Sequence, residues 1–198
     1  MKYQEFRKSI KRPIFSYLDI WTQRLPVFQY QLSSWKKKGY ISSLKRGLYF
    51  FCDRKEIIRS EEVAFFLYEP SYISLESALS FYGIIPEIVY ASTSISTRVT
   101  RKFSNNFGEF IYRQIKPALF FGYIPFETIA GKYLLAEPEK AFLDYIYFNL
   151  GKLNLEGDIA ELRLNQEGIN KLDQKKIKQY LKEFNIKKMY RIVETLIK

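Results

Sequence analysis

The chain has 198 residues, 47% of them hydrophobic and 18% aromatic, and a formal net charge of +11. This length and apolar content suit one good core or two modest ones and exclude a disordered segment. Cys52 is the only cysteine and histidine is absent, which excludes disulfide frameworks, Cys/His zinc sites and histidine-based catalytic triads. No apolar run approaches the roughly 18 residues that span a bilayer, and "MKYQEFRKSIKRP" is charged with no apolar stretch behind it, so a soluble cytoplasmic protein without membrane contact is expected.

The charge is concentrated at one end. Residues 1–59 hold 14 Lys and Arg against 4 Asp and Glu, whereas residues 60–198 hold 18 against 17. Such asymmetry is the footprint of a module that meets a polyanion, joined to a body with another task. Ser16 followed by Asp19 gives a partial capping box ahead of "YLDIWTQRL", where Leu18, Trp21 and Leu25 fall at helical spacing. Pro26 suits the first turn of a second helix running to about residue 38, with Phe28, Leu32 and Trp35 turned inward and Gly39 as its stop. Its outer face then carries Gln29, Ser33, Lys36 and Lys37, with Tyr30 and Ser34 on the flank and no acid. "SLKRGLYFF" alternates around Gly47 and predicts a hairpin with Lys45 and Arg46 projecting from its tip.

Helix, turn, helix and basic hairpin is the order of a winged helix-turn-helix. In that architecture Gln29, Tyr30, Ser33 and Ser34 would read base edges, while Lys36, Lys37, Lys45 and Arg46 would hold phosphates. A lysine-tipped helix end favoured by the macrodipole is the plainer reading of the lysines, and the neighbouring hairpin weighs against it.

A second unit follows. "SEEVAFFLY" and "SLESALSFYG" predict helices capped by Ser60 and Ser74, the latter stopped by Gly83. "VYASTSISTRVT" and "EFIYRQI", separated by "NNFG", predict sheet with a hairpin, and a further strand pair is expected in "FETIAGKYLLA". "EPEKAFLDYIYFNLG" predicts a helix with Pro138 in its first turn, and "IKQYLKEF" and "MYRIVETLI" predict amphipathic helices in the tail. The fold class is therefore α+β: an N-terminal winged helix-turn-helix domain over residues 1–58, then a mixed α/β domain over 60–198 with a helical tail from about residue 152.

The motifs "PSYISLESALSFYGIIPE", "IKPALFFGY" and "AEPEKAFLDYIY", after the hairpin "LKRGLYFF", resemble the AbiEi family of type IV antitoxins, predicted transcriptional regulators of viral defence systems. The resemblance covers about residues 13–150. It implies a DNA-binding autorepressor that recognises inverted repeats upstream of its own operon. It also implies a C-terminal antitoxin domain that counters a nucleotidyltransferase toxin without a stable complex, and it leaves room for self-association on DNA.

A catalytic reading is weaker. Glu76, Glu137, Glu139 and Asp144 can be imagined as metal ligands, but three of them sit in the first turns of predicted helices, where acids serve the dipole, and Lys140 stands one turn after Glu137 as its natural partner. The alternative is a nucleic-acid-processing enzyme with a winged-helix targeting domain. A nuclease would need two carboxylates and a lysine converging on a metal, and Glu127 with Lys132 lacks a persuasive second acid. No enzyme, metal or cofactor is expected. Arg98, Arg101, Lys102, Arg113 and Lys116, with Thr97 and Tyr112 between them, form a second possible basic strip; scattered cations protecting a sheet edge explain it equally well.

Overall fold

The Ser16 capping box closes as the sequence predicts. Ser16 Oγ accepts the Asp19 backbone N–H at 3.2 Å, and the Asp19 carboxylate accepts the Ser16 N–H at 2.6 Å. The computed structural model describes residues 1–153 and 160–197. Its first part runs α1 (Tyr3–Ser9), β1 (Ile14–Ser16), α2 (Tyr17–Thr22), α3 (Gln29–Lys37), β2 (Ile41–Lys45) and β3 (Leu48–Phe51). β3 is the middle of an antiparallel three-stranded sheet, between β1 and β2. The β2–β3 turn passes through Arg46 and Gly47, and Gly47 takes φ +79°, a conformation glycine adopts without penalty. Helix α1 and strand β1 have no counterpart in the sequence-based expectation. α1 buries only Phe6, with Ile10 one turn on, too sparse a stripe to announce a helix.

Nine residues from this part form one core: Phe6, Ile10, Phe15, Ile20, Val27, Leu32, Trp35, Ile41 and Phe51. Phe6 stacks on Trp35 with centroids 5.0 Å apart, and Phe15 meets Phe51 at 4.7 Å. Two expectations about this core are corrected. Leu18 and Trp21 do not face inward; they are 63% and 72% exposed, and Ile20 is the buried residue of α2. The capping box fixes the start of α2 and the helix ends at Thr22, so Leu25 lies beyond it and the longer stripe never forms. Phe28 is not in the first turn of α3 either. It is the N-cap, in extended conformation and 59% exposed, and Val27 fills the core in its place.

A 3-10 turn (Cys52–Ile57) leads to α4 (Ser60–Leu67), β4 (Ser71–Ile73), α5 (Leu75–Phe81), β5 (Ala91–Ser96), β6 (Arg101–Asn105), β7 (Gly108–Gln114), β8 (Tyr123–Glu127), β9 (Lys132–Ala136) and α6 (Pro138–Asn149). α4 is capped by Arg59 rather than Ser60, because the Glu62 carboxylate accepts the Arg59 N–H at 2.8 Å. The strands form a six-stranded mixed sheet in the order β6-β7-β5-β4-β9-β8, with β4/β9 and β5/β7 parallel. Tyr112 donates to the Ala64 carbonyl in α4, whereas Tyr72 donates to Asp144 in α6. The register pairs Ser94 with Tyr112 and Ile95 with Tyr72, and neighbours on a strand point oppositely, so α4 and α6 cover opposite faces. Helices α7 (Gln166–Asn170), α8 (Gln174–Phe184) and α9 (Lys187–Leu196) complete the chain, and α8 and α9 bury apolar stripes as the tail predicts.

The second core is larger, and it reaches across residue 60. Ile14, Leu44, Leu48 and Phe50 from the small sheet belong to it, and Phe50 meets Phe107 of the β6–β7 turn edge-on at 5.1 Å. Alternation explains this: Phe51 turns to the first core and Phe50 to the second, so the small sheet is buried on both faces.

Candidate nucleic-acid interface

The outer face of α3 is built by subtraction. Leu32 and Trp35 are buried, which leaves Gln29, Tyr30, Ser33, Lys36 and Lys37 exposed and Ser34 half-buried. Ser33 Oγ donates to the Gln29 carbonyl at 3.0 Å, and Gln31 returns to the Phe28 N–H at 2.9 Å, closing the start of the helix. No acid lies in its first turn, and Lys36 and Lys37 stand in its last, where they favour the negative end of the dipole. Lys36 Nζ donates to Ser43 Oγ on β2 at 3.1 Å, which ties the basic end of the helix to the hairpin.

The hairpin tip departs from the expectation in one respect. Arg46 is exposed at the turn, but Lys45 bends back and donates to the Leu67 carbonyl at the end of α4. Burial lowers the Lys45 pKa, partly offset by Glu69, and Arg98 adds to the lowering. Lys45 thus fastens hairpin to body. Beside it, Arg12, Arg46 and Arg98 line a cleft of about 470 Å³ together with Asp19 and Glu69. Among the described residues, none of the ion pairs engages Lys37, Arg46 or Arg98.

The second basic strip separates into parts. Arg98 and Arg101 lie over the Tyr68 ring, 5.7 and 5.8 Å from its centroid. The register pairs Arg101 with Tyr112 and Lys102 with Ile111, placing Lys102 and Arg113 on the opposite face of the sheet. Arg113 lies 5.1 Å from the Phe148 centroid in α6, and Lys116 is exposed in the segment after β7. Tyr112, fully buried, takes no part in a surface, while Thr97 is half-buried. Only Arg98 and Arg101 are brought together, and Arg98 joins the hairpin cleft.

No known protein family and no curated protein sequence matches this chain.

The carboxylates considered as metal ligands go to separate partners. Glu137 accepts from Lys176 at 2.6 Å and from Tyr180; burial raises its pKa, but these hydrogen bonds and the Lys176 charge outweigh that and hold it below the usual range. Glu139 accepts the Asp173 N–H at 3.0 Å, while Glu76 stays half-buried on α5. Lys140 does not pair with Glu137, as its position suggested. It turns inward and bridges to Asp144 at i+4, donates to the Tyr72 hydroxyl at 2.8 Å, and leaves Asp144 to accept from Tyr72 at 3.0 Å and Ser74 at 2.9 Å. All four side chains are essentially buried. Ser74 therefore spends its hydroxyl on Asp144 instead of capping α5. The Lys140 stem lies against Gly122, where an added Cβ would stand 3.0 Å from it at φ +71°. The signal was present in "EKAFLD": a Lys and an Asp four apart on an otherwise apolar helix face. Glu127 and Lys132 face each other across the β8–β9 hairpin. No group of three or more potential metal ligands gathers among the described residues, and no helix there is long and apolar enough to cross a membrane.

Proposed function

We propose that this protein is a sequence-specific DNA-binding repressor of the cytoplasm that doubles as a type IV antitoxin against a nucleotidyltransferase toxin. Residues 1–58 act as a winged helix-turn-helix, and the mixed α/β body supplies the antitoxin function. The observation that carries the DNA-binding half is the acid-free outer face of α3 with its two terminal lysines, joined to the Arg46 hairpin by the Lys36–Ser43 hydrogen bond. The order of helices and strands in residues 3–51 supports it, as does the concentration of excess charge before residue 60. Arg46, Lys36 and Lys37 hold phosphates; Gln29, Tyr30, Ser33 and Ser34 face the bases. Arg98 and Arg101 extend the phosphate track from the hairpin onto the body. The antitoxin half rests on the resemblance of the motifs between residues 70 and 147 to the AbiEi family.

Two experiments test the halves. Selection from a randomised duplex library by the full chain is expected to enrich an inverted repeat, and Gln29→Ala to cost about 1 to 3 kcal/mol of discrimination where a bidentate base contact is lost. Failure to enrich any sequence contradicts the repressor. Co-expression with a nucleotidyltransferase toxin encoded in the same operon is expected to restore growth; unchanged toxicity contradicts the antitoxin.

A further inference from the structure

Phe28 and Tyr30 flank Gln29 at the start of α3. They are 59% and 71% exposed, and their ring planes are nearly parallel, 8° apart, with 6.0 Å between centroids. The core has no use for them, since Val27 and Leu32 fill the inward positions on either side. Two large rings left in water on a helix whose last turn is basic fit a surface that is anionic overall yet offers apolar groups within reach. The major groove of duplex DNA has both. Its phosphates supply the anion, and the thymine C5 methyl is the apolar group on its base edges. The N-terminal residues of a recognition helix are the ones that reach those edges, and Phe28, Gln29 and Tyr30 hold that position here.

We propose that Phe28 and Tyr30 read thymine methyl groups, so that the DNA this protein prefers carries thymines close together where the start of α3 enters the groove. Base pairs rise about 3.4 Å per step, so rings 6.0 Å apart reach methyls on bases within two steps of each other. Gln29, between the rings, is free to take a hydrogen-bonding edge. The inference rests on the duplex-binding reading above and adds to it a base preference and a residue, Phe28, that the helical spacing had assigned to the core.

The test compares the full chain on library-selected duplexes with the same duplexes in which thymine is replaced by uracil. That change removes only the C5 methyl and keeps every hydrogen-bonding group. Burying one methyl is worth about a fourfold change in affinity, so the uracil duplex is expected to bind about fourfold more weakly per contacted methyl. Phe28→Ala is expected to bind both duplexes more equally while keeping the salt dependence of the wild type. Equal binding of thymine and uracil duplexes by the wild type, with salt-dependent binding intact, overturns this inference alone. Absence of any salt-dependent duplex binding overturns the DNA-binding reading with it. Self-association without DNA that Phe28→Ala abolishes would assign the rings to a second copy and overturn the inference as well.

Discussion

Helices α3 and α6 both place lysines near charged or polar partners, and they use them in opposite ways. Lys36 and Lys37 stay in water at the end of α3, where nothing acidic on the helix opposes them. Lys140, in α6, is fully buried and ties itself to Asp144, Tyr72 and Ser74 through one network. Burial pushes the Lys140 pKa down and the Asp144 pKa up, and their mutual attraction opposes both shifts. A buried charge of this kind is tolerated only while its partner remains, whereas an exposed one can be removed with little loss of stability. The difference separates residues that maintain the fold from residues free to act on a ligand.

Breaking the buried network is expected to have the largest effect. Asp144→Ala leaves Lys140 uncompensated and should destabilise the chain by about 3 to 5 kcal/mol in chemical denaturation, whereas Lys140→Met with Asp144→Leu should cost much less than the sum of the single changes. Phe50→Ala, at the face shared by the small sheet and the larger core, should cost about 3 to 5 kcal/mol through its cavity, and both units should unfold together because that face couples them. Two separate transitions would show instead that the division near residue 60 is also an energetic one. Lys45→Ala should lose about 1 kcal/mol or less with its hydrogen bond to Leu67, and reduce DNA affinity less than Arg46→Ala does.

Glu137 makes the Lys176 ion pair visible in the pH dependence of stability. Its folded pKa lies below the unfolded value, so the stability it contributes is present above the ordinary carboxylate pKa of about 4.3 and is lost as pH falls through the lowered folded value. Glu137→Gln should flatten that part of the stability profile. An unchanged acid limb would mean that the Lys176 and Tyr180 contacts do not operate in solution.

Much of this arrangement was legible in local patterns. The Ser16–Asp19 box, the Gly47 turn, the "NNFG" hairpin and Pro138 each act within a few residues, and each element formed where its signal stood. Errors arose where one stretch allowed two helical stripes. In α2 the spacing of Leu18 and Trp21 announced a stripe, yet Ile20 is the helix's only buried residue, placed in one core with Phe15 of the adjoining strand and Phe51 of β3. Phe28 was misassigned for the same reason, since Val27 one residue earlier could fill the same space. The Lys140 network needed partners about 70 residues away in sequence, which no local pattern can supply. The basic strip divided because strand register, invisible from composition, sends Arg101 and Lys102 to opposite faces.

The claim that α3 and the hairpin form a phosphate-binding surface is tested most directly by the salt dependence of duplex affinity. For the full chain, log Kd against log salt should be steep, and Lys37→Ala combined with Arg46→Ala should make it shallower by about 1.8, or about 0.9 for each lost phosphate contact, with the denaturation midpoint little changed. A slope identical in the wild type and the double variant would contradict the account.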